Sequence, residues 1–447
     1  MSAKSIAGLN EQPSGPTLDA IPGSYGFPFI GPLLHAREWK SDHLGFYRNQ
    51  IGRYGSTVFK TSFIKKAIAV TDKTGIENAL DLENTHRITG FNGVDPHPEV
   101  LRHSPVVFIG DNDRAERVRQ FIIAYTESRK AFFFPVLEET IRRHISEWEH
   151  LGEFSLTEKL SLMMLDFYVR WLLDYAPDLH EVDHIRRNIV QVRFRTGMSP
   201  KDKVVKQYFE TVIQAYQSSK AFARVQEDAR LQLGYDGDHW AREIAWMTLF
   251  NASNGAYFSL LSCIAEVLSD PEIVTAIRTR FPEGTSNYAV LQDPLLQALL
   301  NESLRLHTPV PRIYASAKRD FILTSKSGSY PVKKGEVLQC VLAMAHRAED
   351  LFPEPDRFNY KRFLDDGGET MKKLVWAGQS AYRDVKEPNQ RTCLGKDYGA
   401  GAALLALKEL VTQYNIVLKE APRFGKEYTL GGAPANDLYV TQFRRIV

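Results

Sequence analysis

Residues Pro388–Leu405, PNQRTCLGKDYGAGAALL, decide how this chain is read: a glycine-punctuated loop holds Cys393 and runs straight into an apolar helix expected over about Gly399–Tyr414. A free cysteine is usually a small buried hydrophobe. Two details set Cys393 apart. It stands where a helix begins, where outward-pointing backbone N–H groups lower a thiol pKa, and Arg391 two residues earlier adds positive charge. A thiolate that accepts N–H bonds is a good soft metal ligand.

Working outward, three constellations precede this loop. In N-E-S-L-R, Asn301–Arg305, Glu302 and Arg305 lie three apart and share one face of a helix, a spacing also common on solvated faces. HTPVPRIYASAK follows, where Pro309 and Pro311 stop that helix and force an extended segment. AHRAEDLFPEPDRFNYKRFL then presents two Arg-Phe steps, Arg357-Phe358 and Arg362-Phe363, and an arginine arriving from this loop can complete a buried Glu-Arg-Arg network.

Further out, IPGSYGFPFIGP (Ile21–Pro32) sets Pro and Gly among aromatics, which suits a rigid extended entry and not a helix. Thr57–Lys60 and Ala67–Thr71 alternate like short strands. From about Arg114 to Arg280 the pattern is helical; Leu137, Ile141, Ile145 and Trp148 form one apolar stripe opposite Glu138, Glu139, Arg142 and Arg143. Ile244–Ala265 carries no charge for 22 residues, but Asn251, Ser253, Asn254 and Gly255 sit mid-run. Amides in hydrocarbon are costly, so this is a helix buried in protein with a polar interruption. YPVKKGEVLQCVLAMA carries a turn signal and a strand pattern. No strand–helix alternation appears and no internal repeat. The sum is a mainly α chain with small β-sheets at one side.

Composition bounds the function. With 43% hydrophobic and 25% charged side chains among 447 residues, disorder, collagen and low complexity are excluded, while length alone leaves about three domains or one large one open. Lys plus Arg (56) against Asp plus Glu (54) gives +2, so no charge field favours nucleic acid or an anionic bilayer. Cys263, Cys340 and Cys393 are too few and too scattered for a disulfide framework, and no C-x-x-C pair suggests structural zinc. Residues 1–20 look like an unpacked tail, without the basic flank and apolar run of a signal peptide or anchor, so a soluble chain is expected.

The constellations occur in the order of three signatures of the cytochrome P-450 superfamily, which the chain resembles from about Ile21 to Val447: Glu302-x-x-Arg305, Arg362-Phe363 and Cys393-Leu394-Gly395. The resemblance implies a heme-thiolate fold in one large domain over residues 21–447, with heme b (iron protoporphyrin IX) as cofactor. It implies a structural network of Glu302, Arg305 and Arg362, with Arg357-Phe358 a decoy, and Cys393 as the ligand to iron. Arg391 beside the cysteine, and Arg119 or Arg117 in DNDRAERVRQF, are the cations for the heme propionates, Arg119 being preferred.

The chain also departs from ordinary members. Lys386 and Asn389 replace the usual Phe and Gly seven and four residues before the cysteine, and the stretch between Trp376 and Cys393 is unusually polar. No Asp or Glu lies between Glu243 and Glu266, so the acid–Thr pair that protonates bound dioxygen is missing. Such an enzyme suits a substrate already at the peroxide oxidation level. Both departures are similar to one branch, the allene oxide synthases, hydroperoxide lyases and epoxyalcohol synthases. IPGSYGFPFIGP, ESLRLHTPVPRIYASAK, CLGKD and Phe250-Asn251-x-x-x-Gly255 resemble that branch's motifs.

The branch implies that Asn251 hydrogen-bonds a fatty-acid hydroperoxide, the bland alternative being that it satisfies a neighbouring helix carbonyl. Gly255, Val310, Pro311 and Ile88 are expected to line the substrate pocket, and Arg312 is a weaker candidate for a substrate carboxylate. O–O homolysis needs no reductase or other redox partner; the alkoxyl radical closes to an epoxide and leaves as epoxyalcohol, allene oxide or, after chain cleavage, aldehydes. Ile88 stands where allene oxide synthases tend to have Phe, which leans toward an epoxyalcohol synthase or lyase. Alternatives are a conventional monooxygenase fed by a redox partner and a heme sensor or carrier. The expected setting is cytoplasmic, with peripheral membrane association for the lipid substrate.

Overall fold

The computed structural model describes residues 18–26, 30–62, 66–88, 113–187, 203–364, 393–427 and 429–446. The tail expected over residues 1–20 lies outside them up to residue 17, as does the polar stretch between Trp376 and Cys393. The described residues are mostly helical, with three small sheets, as the mainly α reading of the sequence expects.

The uncharged central run forms the axis. Asp236 caps it by accepting from the His239 N–H, and the chain then runs as α-helix over Gly237–Trp246, π-helix over Met247–Ala252 and α-helix again over Ser253–Leu268. Leu260, Leu261 and Ile264 are fully buried, each worth about 1.5–3 kcal/mol of transfer free energy. Three helices cover this axis: Leu156–Leu173, Pro294–Leu306 and Lys396–Gln413. The first starts at Ser155, whose hydroxyl accepts from the Glu158 N–H, and stops at Asp174, whose φ of 51° breaks the helix. The Phe133–Trp148 helix buries the stripe expected from the sequence, Leu137, Ile141, Ile145 and Trp148.

Beside the helices, a five-stranded sheet has the order β1 (Val58–Thr61), β2 (Ala67–Val70), β8 (Val337–Cys340), β5 (Ile313–Ala317), β3 (Thr85–Arg87). Only β2 and β8 run parallel. Phe321–Ser325 (β6) and Gly328–Val332 (β7) form a separate hairpin, and β4 (Phe154–Ser155), β10 (Tyr439–Arg445) and β9 (Tyr414–Leu418) the third sheet. Among the described residues no helix is long and apolar enough to cross a membrane.

Two boundaries differ from expectation. The Ile21–Pro32 run is irregular to Gly26, but Ile30, Gly31 and Pro32 open the Ile30–Ser41 helix. A proline is tolerated in a first turn because its missing N–H has no intrahelical partner there. The last helix begins at Lys396, not Gly399, and ends at Gln413 because Tyr414 is extended and enters β9. Glycines inside it serve packing: a Cβ on Gly401 would sit 3.3 Å from the Phe133 ring.

A fully buried carboxylate ties two helices. Asp166 accepts from Arg143, from Arg170 at 2.8 Å and contacts His144 at 3.0 Å. Burial raises its pKa, but the hydrogen bonds from His144 and Arg143 and the charges of His144 and Arg170 outweigh that and hold it below the ordinary carboxylate value. The depressed folded pKa means that this stabilisation is present above the unfolded Asp value and is lost as pH falls through the folded value. Asp166→Asn is expected to cost about 3 kcal/mol in urea unfolding at neutral pH, and the gap between variant and parent to close as the pH is lowered below 4.

Candidate active site

The Glu302 carboxylate and the Arg305 guanidinium are both completely buried and meet through two bonds of 2.8 Å. Arg362 arrives from a 3-10 turn at Tyr360–Phe363 and donates to Glu302 at 3.1 Å, and the Asn359 N–H adds another bond at 2.8 Å. Arg305 also donates to the carbonyls of His346, Pro355 and Arg357. The Arg357 side chain itself points to solvent and pairs with Glu354, so of the two Arg-Phe steps only the second reaches the network with its guanidinium.

Cys393 lies just before the last helix, within reach of three elements. The Gly395 N–H donates to its sulfur, Arg119 of the Asp113–Ser128 helix acts on it by charge, and Tyr168 of the Leu156–Leu173 helix feels its charge in turn. Cys263 and Cys340 are buried, whereas Cys393 is exposed. The lowered thiol pKa expected at this helix start is not found: although the residue as a whole is exposed, desolvation of its sulfur by nearby chain is the largest influence and pushes the pKa up, outweighing the Gly395 N–H and Arg119. Arg119 is half-buried and pairs with Glu116 at 3.8 Å, whereas Arg117 is exposed. Arg391, Lys386 and Asn389 lie outside the described residues.

On the central helix the π turn decides the roles of two asparagines. A π turn misaligns the i→i−4 ladder and leaves carbonyls to be satisfied otherwise. Asn254 does this, its Nδ2 donating to Leu249 O at 3.0 Å and Phe250 O at 3.5 Å. Asn251 Oδ1 is buried with no hydrogen-bond partner among the described residues. A Cβ on Gly255 would meet nothing within 4 Å. The hydroxyls of Thr248, Ser253 and Ser259 all donate to carbonyls of their own helix.

The remaining candidates gather on the large sheet. Ile88 is half-buried and extends the β3–β5 ladder, its N–H donating to Tyr314 O at 3.4 Å. Val310 is half-buried against the core, and buried Pro311 accepts from the Ala343 N–H at 3.2 Å. Arg312 is buried too, 4.3 Å over the Trp39 ring and bonded to the Tyr47 hydroxyl. Tyr168 and Asn254 were not singled out from the sequence. Asn254 had a legible signal, a second amide three residues after Asn251, but nothing in the sequence marks Tyr168 as a neighbour of Cys393.

These side chains fit a heme. The donor set is a single soft sulfur, reachable from solvent, steadied by a backbone N–H, with a guanidinium in range for a carboxylate. The comparisons agree. The family model described as Cytochrome P450 matches residues 267–381, and the backbone superposes on a crystal structure of a cytochrome P450DA heme-domain variant with a TM-score of 0.76 at 14% identity, over 96% of this chain and 98% of that one. In family-model match, relatives and fold the chain is similar to the cytochrome P450 superfamily, and the cofactor this implies is heme. Along nearly its whole length it is similar to a divinyl ether synthase of Solanum lycopersicum (24% identity, 90% of this chain, 94% of that enzyme) and to allene oxide synthase 3 of Oryza sativa subsp. japonica (24%, 90% and 90%). A chloroplastic linolenate hydroperoxide lyase of Arabidopsis thaliana matches at 22% over 91% of this chain and 93% of that enzyme, so the similarity is to the branch these three represent.

The two asparagines are separable by stability. Asn254→Ala is expected to lose about 1 kcal/mol with its bonds to the Leu249 and Phe250 carbonyls, the former keeping Ser253 as a donor, while Asn251→Ala, which removes an unsatisfied buried acceptor, is expected to be no less stable than the parent. Thermal unfolding of both variants against the parent checks this.

Proposed function

We infer that this protein rearranges polyunsaturated fatty-acid hydroperoxides, splitting the O–O bond without an external reductant. The observation that carries this reading is the buried, unpartnered Oδ1 of Asn251 in the π turn of a helix with no carboxyl between Glu243 and Glu266. An unsatisfied buried acceptor costs about 1–3 kcal/mol, a cost removed when a donor arrives, and the O–H of a hydroperoxide is such a donor. The names of the relatives, divinyl ether synthase, allene oxide synthase and hydroperoxide lyase, support the same chemistry.

In this reading the Cys393 sulfur would hold the heme iron and Arg119 would pair with a propionate. Bound there, ferric heme with an electron-rich thiolate supplies the one-electron chemistry that cleaves a peroxide bond. The chain's residues do the rest. Asn251 accepts from the substrate O–H and so orients the peroxide, while Gly255 leaves room one turn further on. Ile88, Val310 and Pro311 give the acyl chain an apolar wall. The hydroxyls of Thr248, Ser253 and Ser259 are spent on carbonyls of their own helix and that of Ser262 on Gly432 O, and no carboxyl lies between Glu243 and Glu266 to relay the protons that dioxygen activation requires.

The product leans to an epoxyalcohol or to aldehydes. What supports this is aliphatic Ile88 where allene oxide synthases tend to carry an aromatic ring. Divinyl ethers, absent from the exits drawn from sequence, are added by the names of the relatives.

Heme-loaded protein mixed with linoleic acid hydroperoxide, with no reductase or nicotinamide cofactor, is expected to consume the diene absorbance rapidly, with epoxyalcohol or aldehydes found by mass spectrometry. Activity only after a reductase system is added would overturn the reading in favour of a monooxygenase. Cys393→Ser is expected to lose the thiolate-type heme spectrum; if it keeps that spectrum, the iron ligand is elsewhere.

A further inference from the structure

The short Leu179–Ile185 helix carries His180-Glu181-Val182-Asp183-His184, an H-E-x-x-H run that the heme chemistry does not use. Residues four apart lie on one face of a helix, and two histidines so placed can share one ion. Here their Nε2 atoms are 3.3 Å apart, whereas the ring centroids are 4.4 Å apart with planes at 52°. The nitrogens are closer than the ring centres, so both ring edges turn toward a common point. A tetrahedral ion with metal–nitrogen bonds of about 2.0–2.1 Å holds two nitrogens roughly 3.3–3.4 Å apart. The observed separation is already that bite.

A second contact prepares one ligand. His184 Nδ1 lies 2.8 Å from the hydroxyl of Tyr208, on the Lys203–Gln217 helix. A partner on Nδ1 fixes the ring and the tautomer and directs Nε2 to a metal. His184 is half-buried and thus held, while His180 is exposed and gives access. Without an ion the two Nε2 atoms share one hydrogen; with both rings protonated on Nδ1, two lone pairs face the same point.

We propose that His180 and His184 form a bidentate surface site for a divalent transition-metal ion, with water completing the shell: the 3.3 Å bite matches tetrahedral Zn²⁺, and Cu²⁺, intrinsically the tighter binder, is taken once the two nitrogens close to about 2.9 Å. The site binds and does not hydrolyse peptides as the motif would in a metalloprotease. Glu181, the general base of that motif, accepts from the Tyr175 hydroxyl, and among the described residues no third His, Cys, Asp or Glu completes a ligand set. Asp183 is likewise committed, to Arg186 and Arg187.

Titration of the heme-loaded protein with Cu²⁺ alone, followed by calorimetry and by nitrogen hyperfine structure in the Cu²⁺ EPR spectrum, tests this. The parent is expected to bind one ion through two imidazoles. His180→Ala and His184→Ala are each expected to weaken that site by about 10²-fold through loss of chelation, and Tyr208→Phe by about 10-fold, all with the heme spectrum unchanged. Because His180 is exposed, its variant keeps the fold and suffices if His184→Ala does not. Absence of a two-imidazole site in the parent, or its survival in His180→Ala, overturns the proposal.

Discussion

A carboxylate with no access to water organises this molecule. Glu302 can stay ionised in the interior only because Arg305, Arg362 and the Asn359 N–H surround it. A buried charge stripped of its partner costs about 3–5 kcal/mol, so the network forms whole or not at all. Arg305 spreads its donors further, over the carbonyls of His346, Pro355 and Arg357, with its guanidinium 4.9 Å over the Phe352 ring. One arginine thereby fastens the Pro294–Leu306 helix to the irregular chain of residues 346–363. The same helix packs on the central axis and on the helix that follows Cys393, so the network fixes the frame in which the sulfur and the π turn are held.

The second constraint is the π turn itself. An ordinary helix would bond every carbonyl of Met247–Ala252 to its own backbone, and a polar side chain there would find nothing to do. Widening the turn displaces the ladder, and Asn254 repairs it at Leu249 and Phe250. Asn251 is released from that duty. The irregularity and the unpartnered oxygen are thus two aspects of one local choice, in a stretch with no carboxyl between Glu243 and Glu266.

Much of this was legible in the sequence, for physical reasons that differ by element. The Phe133–Trp148 helix could be read because its apolar spacing is set by one buried face, and the Glu302–Arg305 pair because three residues make one helical turn. Arg362 was legible only through order along the chain, since a loop arginine carries no periodicity. The π turn was visible as a polar interruption without its geometry, and the split of roles between Asn251 and Asn254 was not, because either amide could have capped a carbonyl. The thiol of Cys393 went the other way from expectation: helix-start N–H groups and a cation are local features of sequence, but the desolvation that outweighs them depends on the folded surroundings of the sulfur. Ile30–Pro32 illustrates the same limit on a small scale, a proline read as a breaker where it serves as a first turn.

Under the proposed function the unpartnered Asn251 oxygen receives the substrate. The most direct measurement is the single-turnover rate of linoleic acid hydroperoxide consumption by Asn251→Ala against the parent, at matched heme content and without reductant. A loss on the order of 10²-fold, with the heme spectrum intact, is expected for a positioned polar contact to the reacting group. Equal rates would contradict the account and leave Asn251 as part of the helix alone.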